Sequence, residues 1–253
     1  MVCEKHKRGF SLVELSIVLV ILGLLTGGIL AGRSLIRASE LRSVGTDLGK
    51  FQTSVAAFRD RYFALPGDMA NAIDFWGAVH ADPGTCRATA SNGTLTCNGT
   101  GTGTLGTVDG VTNSELFHFW IQLANAGLIE GSYTGIRAVA GQFDSSTPGL
   151  NVPASRMNNG GYSVRYCPTT GCWMATPHAG RNVLFFGAPV INSYMRGGIL
   201  AGEEIWNLDT KLDDGASHRG RLTITMMGDN ICDNGNYILT APAGSCSLIW
   251  RLW

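Results

Sequence analysis

Three groups of residues in this sequence have types and spacings that support chemistry. The first is a single carboxylate. Residues 7–25 read KRGFSLVELSIVLVILGLL, a basic pair and a glycine followed by an apolar run that contains Glu14. A carboxylate near the start of a membrane segment costs roughly 2.5–3.5 kcal/mol on insertion scales, so its presence there is a functional hypothesis that calls for a cationic partner. The second group is Asp209, Asp213 and Asp214 in LDTKLDDG, just before a glycine turn. Calcium takes several oxygen ligands converging on a flexible loop, and this stretch is a candidate for such a cofactor site. The spacing is not that of an EF-hand, and Asp213-Asp214-Gly215 also reads as a plain turn after a helix.

The third group is the cysteines. Cys3 precedes the apolar run, and six follow it: Cys86, Cys97, Cys167, Cys172, Cys232 and Cys246. They fall into three local pairs with 10, 4 and 13 intervening residues. An even number points to disulfides in an oxidising compartment. Six cysteines allow 15 connectivities, of which nearest-neighbour pairing is the favoured one. The rival is zinc, because Cys167 and Cys172 have ligand-like spacing, but no second pair or histidine cluster lies close in sequence.

Other chemistries find little support. His80, His118, His178 and His218 are scattered, and no HExxH, nucleophile-elbow, P-loop or dinucleotide motif occurs. The sequence therefore reads as a non-enzyme with no catalytic residues. Nineteen basic and nineteen acidic residues give zero net charge and no basic field for nucleic acid. With 34 glycines and 15% charged residues, 253 residues suit a loop-rich β or α+β domain with a real core.

The elements that position these groups begin with the apolar run. It extends from Phe10 to about Gly32, 23 residues, or roughly 35 Å as a helix, enough to span a bilayer. Lys5, Lys7 and Arg8 keep the N-terminus cytoplasmic and send the remainder outward. An ordinary secretory signal has a shorter apolar core, with its cleavage site after it.

The basic residue, Gly9, Phe10, the spaced Glu14 and the apolar run together resemble the class III signal of type IV pilins and type II secretion pseudopilins. That resemblance implies cleavage by a prepilin peptidase between Gly9 and Phe10, methylation of the new amine, and a leader of residues 1–9. It also implies that Glu14 pairs with the terminal amine of a neighbouring subunit. The implied partners are other pilin-like subunits, an inner-membrane assembly platform and, before assembly, membrane lipid. The implied location is the inner membrane, then a periplasmic or surface filament. The physics agrees: pairing a carboxylate with a cation in low dielectric offsets its burial and penalises wrong registers. The rival from another class is a membrane-anchored binding domain that never polymerises.

Beyond the membrane segment, Leu41, Val44, Leu48, Phe51, Val55, Phe58 and Tyr62 recur at spacings of three and four, an apolar seam on a helix. Residues 33–63 are thus an amphipathic continuation of residues 10–32, ended by Leu65-Pro66-Gly67. A helix from Phe10 to Tyr62 is roughly 80 Å long. Many family members carry a proline where this chain has Ala31. Gly23, Gly27, Gly28 and Gly32 in the same stretch are compatible with a local melt or with an unbroken helix that packs closely.

Residues 64–253 form the expected extracytoplasmic domain. A short apolar helix or loop is expected near Ala70–Trp76, and helices over Ser114–Gly127 and from about Leu200 to Leu212. Strands are expected at Gly161–Cys167, Asn182–Phe186, Arg221–Met227, Tyr237–Thr240 and Ser247–Trp253. The Gly/Thr/Asn-rich residues 82–113 read as an exposed loop or small hairpin. The fold class is α+β, a long N-terminal helix packed on an antiparallel sheet.

Overall fold

The computed structural model describes residues 11–106, 114–138, 144–168, 176–225 and 231–252. The chain divides into two compact units, Met1–Arg42 and Ser43–Trp253.

Helix α1, Leu12–Tyr62, contributes to both. In the first unit its large apolar side chains, such as Leu12, Leu19 and Leu30, are exposed. The hydroxyls of Ser16, Thr26 and Ser34 donate to carbonyls three or four residues back in the same helix. Those three hydroxyl protons are thereby satisfied within the helix, as an apolar medium requires. The helix continues through Gly23, Gly27, Gly28 and Gly32 without interruption. Among the described residues α1 is the one helix long and apolar enough to cross a membrane.

In the second unit the expected seam is buried at Val44, Leu48, Phe51, Val55 and Phe58. The Phe51 ring lies 5.1 Å from Trp120 and 5.0 Å from Tyr162, edge-on to both. The Tyr162 hydroxyl donates to Asp47 at 2.8 Å, and the Ser54 hydroxyl donates to the Leu128 carbonyl at 3.0 Å. Three segments distant in sequence are thus fastened to this part of α1.

Trp120 belongs to α4, Ser114–Asn125. Phe117 and Ile121 are buried as well as the expected face of Leu116, Phe119, Trp120 and Leu123, so apolar contact nearly surrounds this helix. Gly127 ends it with φ of 72°, and the Leu128 N–H donates to the Leu123 carbonyl, the arrangement a left-handed glycine makes possible.

Four antiparallel strands form the sheet: β1 Gly161–Cys167, β2 Arg181–Gly187, β3 Leu222–Ile224 and β4 Leu248–Arg251, in the order β1-β2-β4-β3. Val164 faces Leu184, which faces Trp250, which faces Leu222. Every residue of β2 after Arg181 is buried, so both faces of the sheet are covered. On one face Cys167, Val183, Phe185 and Ile249 cluster against Tyr194. On the other, Phe186 lies 5.1 Å from Tyr162. Helix α5, Gly202–Leu212, lies between β2 and β3 in sequence.

Two expectations need correction. Tyr237–Thr240 is not a strand: one bridge pairs Tyr237 with Asp233, across an Asn234-Gly235 turn, and the chain then turns again. Residues 82–106 are not simply an exposed loop. They include a helix, α3 Pro83–Ala88, capped by Asp82, and they bury Cys86, Thr96, Cys97 and Leu105. Asp-Pro is a helix-start signal that the Gly/Thr-rich composition around it obscures. A further short helix, α2 Ile73–Trp76, occupies part of the expected 70–76 segment.

Candidate functional site

Gly9 and Phe10 lie outside the described residues. Glu14 sits in the first turn of α1 and is exposed. Its Oε2 accepts the Ser11 N–H at 2.9 Å, while the Ser11 hydroxyl oxygen accepts the Val13 N–H at 3.3 Å. This is a capping box, in which two otherwise orphaned donors at a helix start are satisfied reciprocally. The signal for it, Ser-x-x-Glu at 11–14, is visible in the sequence and is masked by the more obvious question of the carboxylate in an apolar run. Within a single chain, Glu14 therefore has a neutral donor and no cation among the described residues.

The cysteines divide as follows. Cys86 on α3 is bonded to Cys97, beside the bridge between Ala78 and Thr96. Cys232 is bonded to Cys246, which also pairs with Leu200 ahead of α5. Cys167 is disulfide-bonded and has no thiolate to offer zinc; Cys172 lies outside the described residues.

The three aspartates converge. Asp209 is in the last turn of α5, Asp213 is its C-cap and Asp214 follows. One oxygen of each lies within 4.8 Å of one oxygen of the other two. Asp209 is fully buried. Its Oδ2 accepts the Tyr237 hydroxyl at 2.7 Å, and its Oδ1 has no hydrogen-bond partner. Asp213 Oδ2 accepts the backbone N–H groups of Arg221 and Leu222. Gly220 allows that approach, because a Cβ there would fall on the Asp213 carboxylate. Asp214 Oδ1 accepts the Ala216 N–H at 3.0 Å. Burial pushes the Asp209 pKa up to about 6; the charges of Asp213 and Asp214 add to the rise, and the Tyr237 hydroxyl opposes it. An all-oxygen set spaced this way fits calcium, whose Ca–O distances are about 2.3–2.6 Å.

A second pair of acids does structural work that sequence reasoning missed. Asp68 accepts the N–H groups of Thr102 at 3.0 Å and Gly103 at 2.7 Å. Glu115, at the start of α4, accepts those of Thr100 at 2.9 Å and Gly106 at 3.1 Å. Together they pin residues 100–106, of which Gly101 and Gly103 line a cleft of about 870 Å³ bounded also by Arg59, Tyr62 and Phe63 at the end of α1.

The histidines do not form a constellation. His80 accepts the Asp82 N–H, His178 bonds Thr223 at 2.8 Å, and His218 lies 2.7 Å from Asp233. His118 is buried within α4.

The decisive comparison concerns the N-terminus, where residues 5–30 match a family model described as the prokaryotic N-terminal methylation motif. The chain carries a prepilin signal. That motif is the mark of type IV pilin-like proteins and pseudopilins, and it implies prepilin peptidase processing and polymerisation with pilin-like subunits in general. The apolar start of α1 that follows it is consistent with membrane anchoring. No curated protein and no solved structure matches the chain.

Proposed function

We propose that this protein is a structural subunit of a type IV pilus or a related filament, not a catalyst. The observation that carries the reading is the prepilin signal at residues 5–30 joined to a 51-residue helix, exposed and apolar at its start and buried in a sheet-containing domain at its end. Cleavage after Gly9 frees the Phe10 amine, a cation of the kind that Glu14 lacks among the described residues. A mature chain of about 244 residues is large for an abundant pilin, which favours a minor or specialised subunit. A pseudopilin of a secretion or DNA-uptake apparatus uses the same parts, and the same chemistry applies there.

The test is N-terminal sequencing of the mature protein, with mass spectrometry of filaments sheared from cells. The mature chain begins FSLVEL, with a methylated amine, and the protein is recovered in the sheared fraction. A mature terminus near Gly32 would mean an ordinary cleaved signal. Correct processing with retention solely in the membrane would mean an anchored domain that does not polymerise.

A further inference from the structure

We propose that the cleft at the C-terminal end of α1 binds a neutral oligosaccharide, with Tyr62 and Phe63 stacking on its sugar rings and Arg59, Asp60 and Asn71 reading its hydroxyls. This goes beyond the filament reading and does not depend on it. Two residues at this helix end break the local rules. Phe63 follows the last residue of α1 with φ of 52°, and its N–H donates to the Arg59 carbonyl at 2.9 Å. That left-handed position favours glycine, and a bulky side chain there is strained. The strain brings no packing in return, since Phe63 is 93% exposed. Asp60 lies in the last turn of α1, where the helix dipole disfavours a carboxylate. Its carboxylate makes no hydrogen bond or ion pair among the described residues. Local rules broken without a compensating contact within the chain mark a place shaped for something outside it.

Both residues line the cleft of about 870 Å³. Small-ligand sites run from about 300 to 1,000 Å³, so a short oligosaccharide has room. Tyr62 is held in place beforehand: its ring lies 4.6 Å from Phe58, 5.2 Å from Phe75 and 5.3 Å from Trp76, with the Arg61 guanidinium 5.2 Å from its centroid. A ring fixed in advance binds without a further ordering cost. The polar side chains of the lining differ in kind. Arg59 brings donors, Asp60 brings acceptors and the Asn71 amide brings both. A polyanion would meet Asp60 and Asp68 there, and a polycation would meet Arg59. A lipid chain would strip the same groups of water and leave them unpaired. A neutral sugar meets each demand. Its C–H face lies flat on an aromatic ring, and its hydroxyls donate to the carboxylate and accept from the guanidinium.

The experiment uses the full chain in a detergent without a sugar headgroup. The probes are the neutral trisaccharides of glucose, galactose, mannose and N-acetylglucosamine, with trilysine and triglutamate beside them. Saturation-transfer NMR reads binding, and thermal unfolding reads stability. At least one trisaccharide receives saturation from the wild-type protein, most strongly at its ring C–H protons, and the effect saturates with concentration. Phe63→Gly weakens that binding by about tenfold or more, as loss of an aromatic anchor does. The same variant raises Tm, because glycine relieves the left-handed strain. Phe63→Tyr keeps the ring and keeps the binding. Asp60→Ala weakens binding by a similar factor without lowering Tm, since it removes an anion from the negative end of the helix. A fall in Tm with Phe63→Gly would mark a residue held for the fold, and that result overturns the site. So does binding of none of the trisaccharides, binding that Phe63→Gly leaves unchanged, or a preference for trilysine or triglutamate. The readout is a monomer in micelles, so failure here leaves the filament reading untouched, and failure of that reading leaves this result standing.

Discussion

The Thr100 hydroxyl has one hydrogen and two buried carboxylates within reach, Glu115 at 2.7 Å and Asp68 at 3.1 Å. It can donate to only one of them. Burial pushes the Glu115 pKa up, the neighbouring Asp68 charge adds to the rise, and the donors from Thr100 and Gly106 oppose it. A native state that holds a proton more tightly than the unfolded chain draws stability from it below the ordinary glutamate value of 4.5. That contribution is lost as pH rises through the raised native value. Glu115→Gln removes the titration, so the fall in stability with rising pH becomes shallower. The variant is also less stable at acidic pH by about 1–3 kcal/mol, because its amide nitrogen must face the N–H of Thr100 or Gly106. Denaturant unfolding at several pH values between 4.5 and 7.5 measures both effects, and an unchanged slope would remove Glu115 as its source.

At the level of elements, the sequence is legible where one period dominates. The three-four spacing from Val44 to Phe58 is the buried face of α1, and Gly161–Cys167 has the bounds of β1. It is less legible where a distant contact decides. Tyr237–Thr240 has strand-forming residues, but Tyr237 is drawn to the buried Asp209 and Cys232 is tied to Cys246. Likewise, nothing local to GTGTGTLG announces that Asp68 and Glu115 fix it. The convergence of Asp209, Asp213 and Asp214 was readable, since i, i+4 and i+5 share the end of one helix, but the orphaned oxygen and Tyr237 were not. Where few regular hydrogen bonds exist, a covalent constraint matters more. Replacing both Cys232 and Cys246 with serine, which avoids a leftover thiol, should cost about 3 kcal/mol, the chain-entropy value for a loop near 15 residues. Thermal unfolding under oxidising conditions measures the loss. Wild type treated with reductant should unfold below the oxidised double variant, since reduction opens its other disulfides as well, and a Tm equal to untreated wild type in the double variant would show that the loop is held by its other contacts alone.

For the whole molecule the question is how a subunit joins a polymer, and it returns to Glu14. The capping box gives that carboxylate a role before any assembly, so Glu14→Ala confounds two losses. One is the hydrogen bond from the Ser11 N–H, worth about 0.5–1.5 kcal/mol net. The other is the proposed ion pair with the Phe10 amine of a neighbour, for which leaving one partner buried alone costs about 3–5 kcal/mol. Glu14→Gln separates them, because glutamine also closes a capping box while carrying no charge. Each variant is expressed as the sole copy, and the membrane and sheared-filament pools are compared with the wild-type distribution. All three chains should be inserted and cleaved before Phe10, since neither substitution adds a charge to the apolar segment. Incorporation should fall in the order wild type, glutamine, alanine, because the amide still offers an acceptor to the amine. Incorporation of the glutamine variant at the wild-type level, with loss confined to alanine, would show that the cap and not the charge is what assembly requires. Equal incorporation of all three would remove Glu14 from the contact between subunits.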